Sequence, residues 1–158
     1  MLSFYDQRRA AIQEKVPNEA HFALARLDAK WPRDGEGGLL IVTQNIDDLH
    51  ERAGASRVLH MHGEHLLAWC TACDGRSPLR DTLIDRPPCP RCGARALRPD
   101  VVWFGEVPYR MGEIYAALRQ CDLFVSIGTS GAVHPAAGFV QQARDLGART
   151  LELNLEPS

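Results

Sequence analysis

Two pairs of cysteines carry the strongest chemical signal in this sequence. Cys70-x-x-Cys73 and Cys89-x-x-Cys92 match the C-x₂-C-x₁₅₋₂₀-C-x₂-C spacing of zinc-binding modules. Each pair can form a tight knuckle, and four thiolates complete the tetrahedral sphere of Zn²⁺ with no position left for water. The spacing therefore predicts one structural zinc ion per chain. Two disulfides or unconnected thiols are the alternatives.

A polar segment follows an apolar run at a point where a ligand can bind. Residues 43–50, TQNIDDLH, come directly after LLIV at residues 39–42. Ligands of open α/β sheets bind at the carboxyl ends of strands, where amide and carboxylate side chains suit a carboxamide and sugar hydroxyls. On spacing alone, a helix start capped by Asn45 or Asp47 is the simpler interpretation.

The segment His60-Met61-His62-Gly63 places a histidine before a glycine at the end of a predicted strand. An imidazole at a cleft edge can act as a general base at neutral pH. A structural histidine remains the alternative. The H-x-H pattern also fits a metal ligand pair, but the four cysteines already complete one metal site.

The elements that must position these residues alternate between strands and helices. The second helix is predicted to begin at the cap Asn18 and to turn Phe22, Leu24, Ala25 and Leu27 inward. A strand, a glycine turn, a helix and a strand after residue 122 form a βαβ unit. Buried strands are predicted at 39–42 and 122–127, further strands at 58–61 and 149–153, and later helices at 111–120 and 135–146. The fold class is therefore α/β, a partial Rossmann-like parallel sheet with an inserted zinc-ribbon module.

The cysteine-rich stretch differs from its surroundings in composition. It holds four of the five cysteines and few long apolar side chains, which predicts a small module without a core of its own. The expected division is a Rossmann-like α/β domain formed by 1–65 and 99–158, and a zinc-binding module at 66–98.

Charge and hydropathy exclude several classes of partner. The chain has 18 basic and 20 acidic residues, a net charge of −2, whereas a protein that grips a phosphate backbone is usually basic. No apolar run approaches the ~20 residues of a membrane span, and no signal peptide opens the chain. Direct nucleic-acid or membrane partners are therefore not expected, and the expected location is the cytoplasm.

A zinc-ribbon binding module for nucleic acid or protein is the competing function. It requires basic residues and exposed aromatics around the cysteines. Between Cys70 and Cys92 there are four arginines against three aspartates, and Trp69 is the one neighbouring aromatic. This is a weak basic bias without a stacking platform.

Taken together, six motifs resemble the sirtuins in order and spacing, from about Phe4 to the last residue. They are TQNID at 43–47, HG at 62–63, the paired C-x-x-C motifs, VVWFGE at 101–106, GTS at 128–130 and NLE at 154–156. The resemblance implies an NAD-dependent protein lysine deacylase with NAD as co-substrate and one structural zinc. Its partners would be proteins or peptides carrying acylated lysine, and its products free lysine, nicotinamide and O-acyl-ADP-ribose.

The resemblance also implies roles for individual residues. His62 is similar to the general base of the family. Expected contacts to nicotinamide and ribose are Gln44, Asn45 and Asp47. Expected contacts to the phosphates and adenosine are Gly128, Thr129, Ser130, Asn154 and Glu156. The expected substrate strip, which takes the peptide as an added strand, comprises Val102, Phe104, Gly105 and Glu106.

One pair of residues predicts which acyl group is removed. Tyr5-x-x-Arg8 places both side chains on one helix face and resembles the branch of sirtuins that prefers succinyl- and malonyl-lysine. A guanidinium offers a carboxylate two donors and a phenol a third. Without the resemblance, Arg8 and Arg9 would be interpreted as a solvated helix face.

The chain departs from the family at its start. Sirtuins begin with a strand and a G-A-G-x-S loop that cradles the NAD pyrophosphate, and neither occurs here. The sequence is therefore expected to be a partial catalytic core. A catalytically incomplete sirtuin fragment is the alternative to an enzyme that is active by itself.

Overall fold

The computed structural model describes residues 2–31 and 38–155, which fall into two compact units divided between Tyr109 and Arg110. The elements of the first unit are α1 (Leu2–Gln13), α2 (Glu19–Lys30), β1 (Ile41–Thr43), α3 (Leu49–Arg52), β2 (Val58–His60), β3 (Gly63–Cys70), β4 (Arg76–Pro78) and β5 (Leu97–Val101).

The start of α2 is fixed by a side-chain cap. Asn18 Oδ1 accepts hydrogen bonds from the backbone N–H groups of Ala20 and His21 at 3.0 and 3.2 Å, which confirms the predicted cap. The predicted apolar face is wrong in part, because Phe22 and Leu27 are 37% and 41% exposed. The helix instead buries Ala25 and Asp28, a carboxylate whose polar partners lie beyond the helix.

Strands β1 and β2 pair in parallel, as the apolar runs predicted, with Ile41 opposite Val58 and Thr43 opposite His60. Ala25, Ile41 and Ala55 form the buried cluster beneath them. Both strands end at the same edge, so the segments that follow Thr43 and His60 leave the pair side by side.

Strand β3 lies between β4 and β5 in an antiparallel sheet that carries the cysteine knuckles. The few buried apolar side chains of this region form a core that is shared with α1, outside the predicted module. Ala68, Leu79 and Leu83 are buried together, and Leu2 of α1 and Leu97 pack against them. Three small or branched side chains suffice here because α1 covers them.

The second unit is a βαβ unit, as predicted. It contains α4 (Met111–Arg119), β6 (Leu123–Ile127), a 3₁₀ turn (Ala136–Gly138), α5 (Phe139–Asp145) and β7 (Arg149–Leu153). Strands β6 and β7 are parallel, in register from Leu123 opposite Arg149 to Ile127 opposite Leu153.

The prediction that β6 is buried is wrong. Leu123, Val125 and Ile127 are 47%, 36% and 42% exposed. Parallel strands are buried when helices cover both faces of the sheet. Within this unit α5 contacts both strands, and one helix cannot cover two faces.

Candidate active site and metal centre

The four cysteines of the two knuckles converge on one point. Their sulfur atoms all lie within 4.8 Å of one another, with Cys70 Sγ 3.7 Å from Cys92 Sγ and Cys73 Sγ 3.8 Å from Cys89 Sγ. A tetrahedron with Zn–S bonds of about 2.3 Å has S···S edges of about 3.8 Å. The four thiols are free and far beyond the ~2.05 Å of a disulfide bond, so the disulfide alternative is excluded.

Matching backbone turns build the two knuckles. Cys70 N–H donates to Gly75 O and Asp74 N–H donates back to Cys70 O, at 2.8 and 2.9 Å. Cys89 N–H donates to Ala94 O and Gly93 N–H to Cys89 O, both at 2.8 Å. Asp74 and Gly93 take positive φ values of 56° and 76°, which lets each loop return to its first cysteine. The donor set fits one closed tetrahedral zinc site.

His62 lies in the turn between β2 and β3, where its imidazole is half-buried. Its Nδ1 lies 3.0 Å from the backbone carbonyl oxygen of Gln44. A carbonyl only accepts hydrogen bonds, so in the neutral ring Nδ1 carries the proton and Nε2 keeps its lone pair. The turn thus presents an oriented base, and Val102 N–H donates to His62 O at 2.9 Å.

The glycine after His62 is required by the packing of β3 on β5. Gly63 has φ +87°, and a Cβ built on it would lie 2.1 Å from the carbonyl oxygen of Asp100. No side chain fits a contact below 3.0 Å against backbone. Gly63 therefore allows β5 to pack closely against the turn that carries His62. This packing holds the start of the segment 101–106 next to that turn.

Residues 44–48 run from the end of β1 into α3 beside this base. Asn45 is exposed, and its backbone N–H donates to Thr43 Oγ1 at 3.1 Å. Asp47 Oδ1 accepts the Leu49 N–H at 3.1 Å in an Asx turn just before α3, but the N-cap of α3 is Asp48, so the interpretation of Asn45 or Asp47 as the helix cap is wrong. The structure places Gln44, Asn45 and Asp47 on one loop, with Gln44 also orienting His62.

A second histidine secures the same loop. His60 Nε2 lies 2.8 Å from Glu51 Oε1, and His60 Nδ1 lies 3.4 Å from Asn45 O. Burial alone would lower the pKa of His60, but the hydrogen bond and charge of Glu51 outweigh it and raise that pKa above its usual value. His60 thus has a carboxylate partner, whereas His62 has a carbonyl.

The predicted substrate strip continues from β5. Phe104 and Gly105 are exposed, Phe104 completely, and Val102 is half-buried. The carboxylate of Glu106 is held by Arg98 and also accepts the Trp103 N–H at 2.8 Å. Those hydrogen bonds, from Arg98 first and then Trp103, lower the pKa of Glu106.

The predicted acyl-selecting residues lie on α1. Tyr5 is half-buried and stacks on Trp103, with ring centroids 6.4 Å apart and an interplanar angle of 21°. Arg8 is exposed, with its guanidinium carbon 4.8 Å from the centroid of the Phe4 ring. Arg9 is 2% exposed and pairs with Asp6, so the interpretation of Arg9 as solvated is wrong.

The remaining predicted residues belong to the second unit and follow β6 and β7. Gly128 has φ +59° and donates its N–H to Leu153 O at 3.1 Å. Asn154 Nδ2 donates to Thr129 O at 2.8 Å, which ties the turn after β6 to the residue after β7. Ser130 Oγ accepts the Ala132 N–H at 3.4 Å, and Glu156 lies outside the described residues.

Sequence reasoning did not find Arg98 and Trp103, which support the predicted substrate residues. The guanidinium carbon of Arg98 lies 3.4 Å from the Trp103 ring centroid. An arginine on a strand and a tryptophan in a turn carry no local signal of this contact, because it depends on how residues 101–106 fold back over β5.

None of the helices in the described ranges is long and apolar enough to cross a membrane.

This chain is similar to known proteins in both sequence and structure. The model of the Sir2 family matches residues 2–135. An NAD-dependent protein deacylase of Vibrio parahaemolyticus is 52% identical over 99% of this chain. A solved Sir2 homologue in complex with NAD superposes with a TM-score of 0.88 and is 32% identical, covering 99% of this chain and 60% of that one. A Sir2 bound to acetylated peptide superposes with a TM-score of 0.81 and is 28% identical, covering 94% of this chain and 63% of that one.

The fold and the metal centre define an α/β protein of the Rossmann-like type that carries a four-cysteine zinc-binding module. The chain belongs to the Sir2 family, the sirtuins, as the family match and the Vibrio relative show. It spans 64% of the length of that relative.

Proposed function

We propose that this chain serves as an NAD-dependent protein lysine deacylase that removes acetyl and also succinyl or malonyl groups. The observation that carries the proposal is the orientation of His62. Its Nδ1–H is used by Gln44 O, so Nε2 is available as a base beside the loop of Asn45 and Asp47. The Val102 hydrogen bond to His62 O links the same turn to the substrate strip.

NAD, when bound, supplies an electrophilic ribose carbon and nicotinamide as the leaving group. Gln44, Asn45 and Asp47 would hold the carboxamide and the ribose with amide and carboxylate side chains. His62 Nε2, whose lone pair is free when Nδ1 carries the proton, would accept a proton from a ribose hydroxyl. The products are free lysine, nicotinamide and O-acyl-ADP-ribose. In the second unit, the phosphates and adenosine would be contacted by Gly128, Thr129, Ser130, Asn154 and Glu156.

The peptide would bind as an added strand along Val102, Phe104 and Gly105, whose exposure leaves this strip open to a partner. Backbone hydrogen bonds then give affinity with little demand on the peptide sequence. The partners are acylated proteins or peptides, with neither nucleic acid nor membrane among them.

The proposal also divides the chain into two domains. Residues 1–65 and 99–158 form the NAD-binding catalytic domain, and residues 66–98 form the zinc-binding module. Five free thiols favour a reducing compartment, the cytoplasm.

The base assignment is tested with His62→Ala. We expect this variant to keep NAD binding and to lose deacylation by about 10²-fold or more, the scale of a positioned general base. Turnover is followed as nicotinamide release, on this chain and on a chimaera joined to the part of the Vibrio parahaemolyticus relative outside the match. Near-normal turnover of His62→Ala would move the role to another residue, with His60 next.

The same pair of proteins decides between the enzyme and its alternative. The chain covers 64% of its relative, and this observation favours a second candidate, a catalytically incomplete fragment. An active chimaera together with an inactive chain would support the fragment. Activity of both would support an enzyme complete in this chain.

Acyl preference is tested at Arg8. A hydrogen bond to a charged group contributes about 1.5–3 kcal/mol, so Arg8→Met should lower kcat/KM for a succinyl-lysine peptide by about one to two decades. The acetyl form of the same peptide has no carboxylate and should react unchanged or faster. Arg26→Met, an exposed arginine of α2, is the matched control. An equal loss for both peptides would make Arg8 structural and leave plain deacetylation.

A further inference from the structure

Arg98 makes three interactions with the segment formed by residues 101–106. Its Nη1 and Nη2 donate to Glu106 Oε1 and Oε2 at 2.6 and 3.0 Å, and Nη2 also donates to Val101 O at 2.8 Å. Its guanidinium carbon lies 3.4 Å from the centroid of the Trp103 ring, in cation–π contact. The Arg98 side chain is 13% exposed and that of Glu106 37%, so the arginine end of the ion pair is shielded while the carboxylate end faces solvent.

The ion pair with Glu106 shapes the turn of this segment. Glu106 also accepts the Trp103 N–H through Oε2 at 2.8 Å, and its own N–H donates to Trp103 O at 2.9 Å. Gly105 has φ +89°, which permits the sharp return of the chain. Both carboxylate oxygens are therefore used inside the protein, and Glu106 acts on the shape of the strip.

Trp103 contacts both Arg98 and Tyr5 and so links the two residues. The two rings stack at a centroid distance of 6.4 Å and an angle of 21°. The backbone of Tyr5 is held separately, because its carbonyl accepts a hydrogen bond from Nε2 of the fully buried His65 at 2.7 Å. The Phe4 and His65 rings also lie against the Tyr5 ring, with centroids 5.5 and 5.7 Å away, so Trp103 is one of three ring contacts that set its direction.

We propose that Arg98 is a positioning residue for acyl-lysine substrates. It fixes the substrate strip through Glu106 and supports the Tyr5 ring through Trp103, without touching the substrate itself. This inference rests on the proposed function, since it assigns the strip and Tyr5 to substrate binding. It follows that the strip should matter for every acyl group, whereas the Tyr5 ring should matter only for acyl groups that carry a carboxylate.

Two substitutions separate these effects. Arg98→Met removes the ion pair and the cation–π contact together. Arg98→Lys keeps a positive charge for Glu106 but loses the planar group and its two parallel donors. Arg26→Met, on α2 and exposed, is the matched control. Zinc content and far-UV circular dichroism establish that each variant is folded.

The readout is the dissociation constant of a fluorescein-labelled peptide for the whole chain, measured by anisotropy with its target lysine succinylated, acetylated or unmodified. We expect Arg98→Met to weaken the acetylated peptide about threefold to tenfold and the succinylated peptide further, by about tenfold or more. Arg98→Lys should restore most of the affinity for the acetylated peptide but little of that for the succinylated one. A purely structural role would shift both peptides alike in both variants.

The outcomes distinguish this inference from the function on which it rests. If the unaltered chain prefers acylated over unmodified peptide and folded Arg98→Met binds every peptide as before, only the positioning role is overturned. Equal losses for acetylated and succinylated peptides in both variants also overturn it. If the unaltered chain does not distinguish acylated from unmodified lysine, the proposed function fails and the positioning role fails with it.

Discussion

Asp28 of α2 is a buried carboxylate whose removal should destabilise the β1–β2 pair. It is 1% exposed, and its Oδ2 accepts hydrogen bonds from Ser56 N–H and Ser56 Oγ at 2.7 and 2.8 Å. Arg57 forms an ion pair with Oδ1. The backbone O of Arg57 then accepts the Ile41 N–H at 2.9 Å, where β1 begins. The carboxylate therefore anchors α2 to the start of the β1–β2 pair.

The magnitude follows from the pKa of Asp28. Burial alone would raise this pKa, but hydrogen bonds from Arg57 and Ser56, together with the charge of Arg57, lower it from 3.8 to about 2. A shift of this size corresponds to about 2 kcal/mol of stability at neutral pH. Because the folded-state pKa is depressed, this contribution is complete above pH ~4 and is lost only as the pH falls toward 2.

We expect Asp28→Asn to lower the free energy of unfolding by about 2 kcal/mol, since an amide carries no charge for Arg57. The assay is urea unfolding of zinc-loaded protein at pH 7 and pH 5, with Asp85→Asn, an exposed aspartate, as the control. The difference between Asp28→Asn and the unaltered chain should be the same at both pH values. A loss below about 0.5 kcal/mol, or a difference that shrinks by pH 5, would refute the reasoning.

Two further predictions concern the metal centre and the glycine that follows His62. Cys89→Ala should lose the single zinc ion and unfold the zinc-binding module, because a closed thiolate site supplies folding free energy directly. The control Cys121→Ala should keep the zinc ion. Native mass spectrometry counts the metal, and stoichiometric zinc in Cys89→Ala would contradict the site. Gly63→Ala should cost about 3 kcal/mol or more in urea unfolding, because its Cβ would lie 2.1 Å from Asp100 O at positive φ. Gly112→Ala, with open space around it, should be neutral or stabilising, and a mild Gly63→Ala would mean that β5 can shift.

The features that the sequence predicted correctly are those that local chemistry determines. The C-x-x-C pairs, the Asn18 cap and the parallel β1–β2 pair each depend on a few neighbouring residues or on an apolar run. The roles of His62 and of the segments after β1 and β6 came from the resemblance to the sirtuins. For these roles the structure adds the tautomer of His62, fixed by Gln44 O.

The features that were not predicted depend on contacts between distant parts of the chain. Asp28 is buried because Ser56 and Arg57 reach it from another element, which no helical periodicity reveals. Arg9 is buried for the same reason, since Asp81 O accepts its Nη1–H at 2.9 Å. Arginines and aspartates on a helix normally face solvent, so only the tertiary fold distinguishes these from their neighbours.

The measurement that tests the central claim most directly is the fate of the acyl group. The chain and the chimaera with the Vibrio parahaemolyticus relative are incubated with NAD and a lysine-acylated peptide, and the products are identified by mass spectrometry. The proposed function predicts one nicotinamide and one O-acyl-ADP-ribose for each lysine freed, with no reaction when NAD is left out. Release of the free acid without consumption of NAD would contradict it.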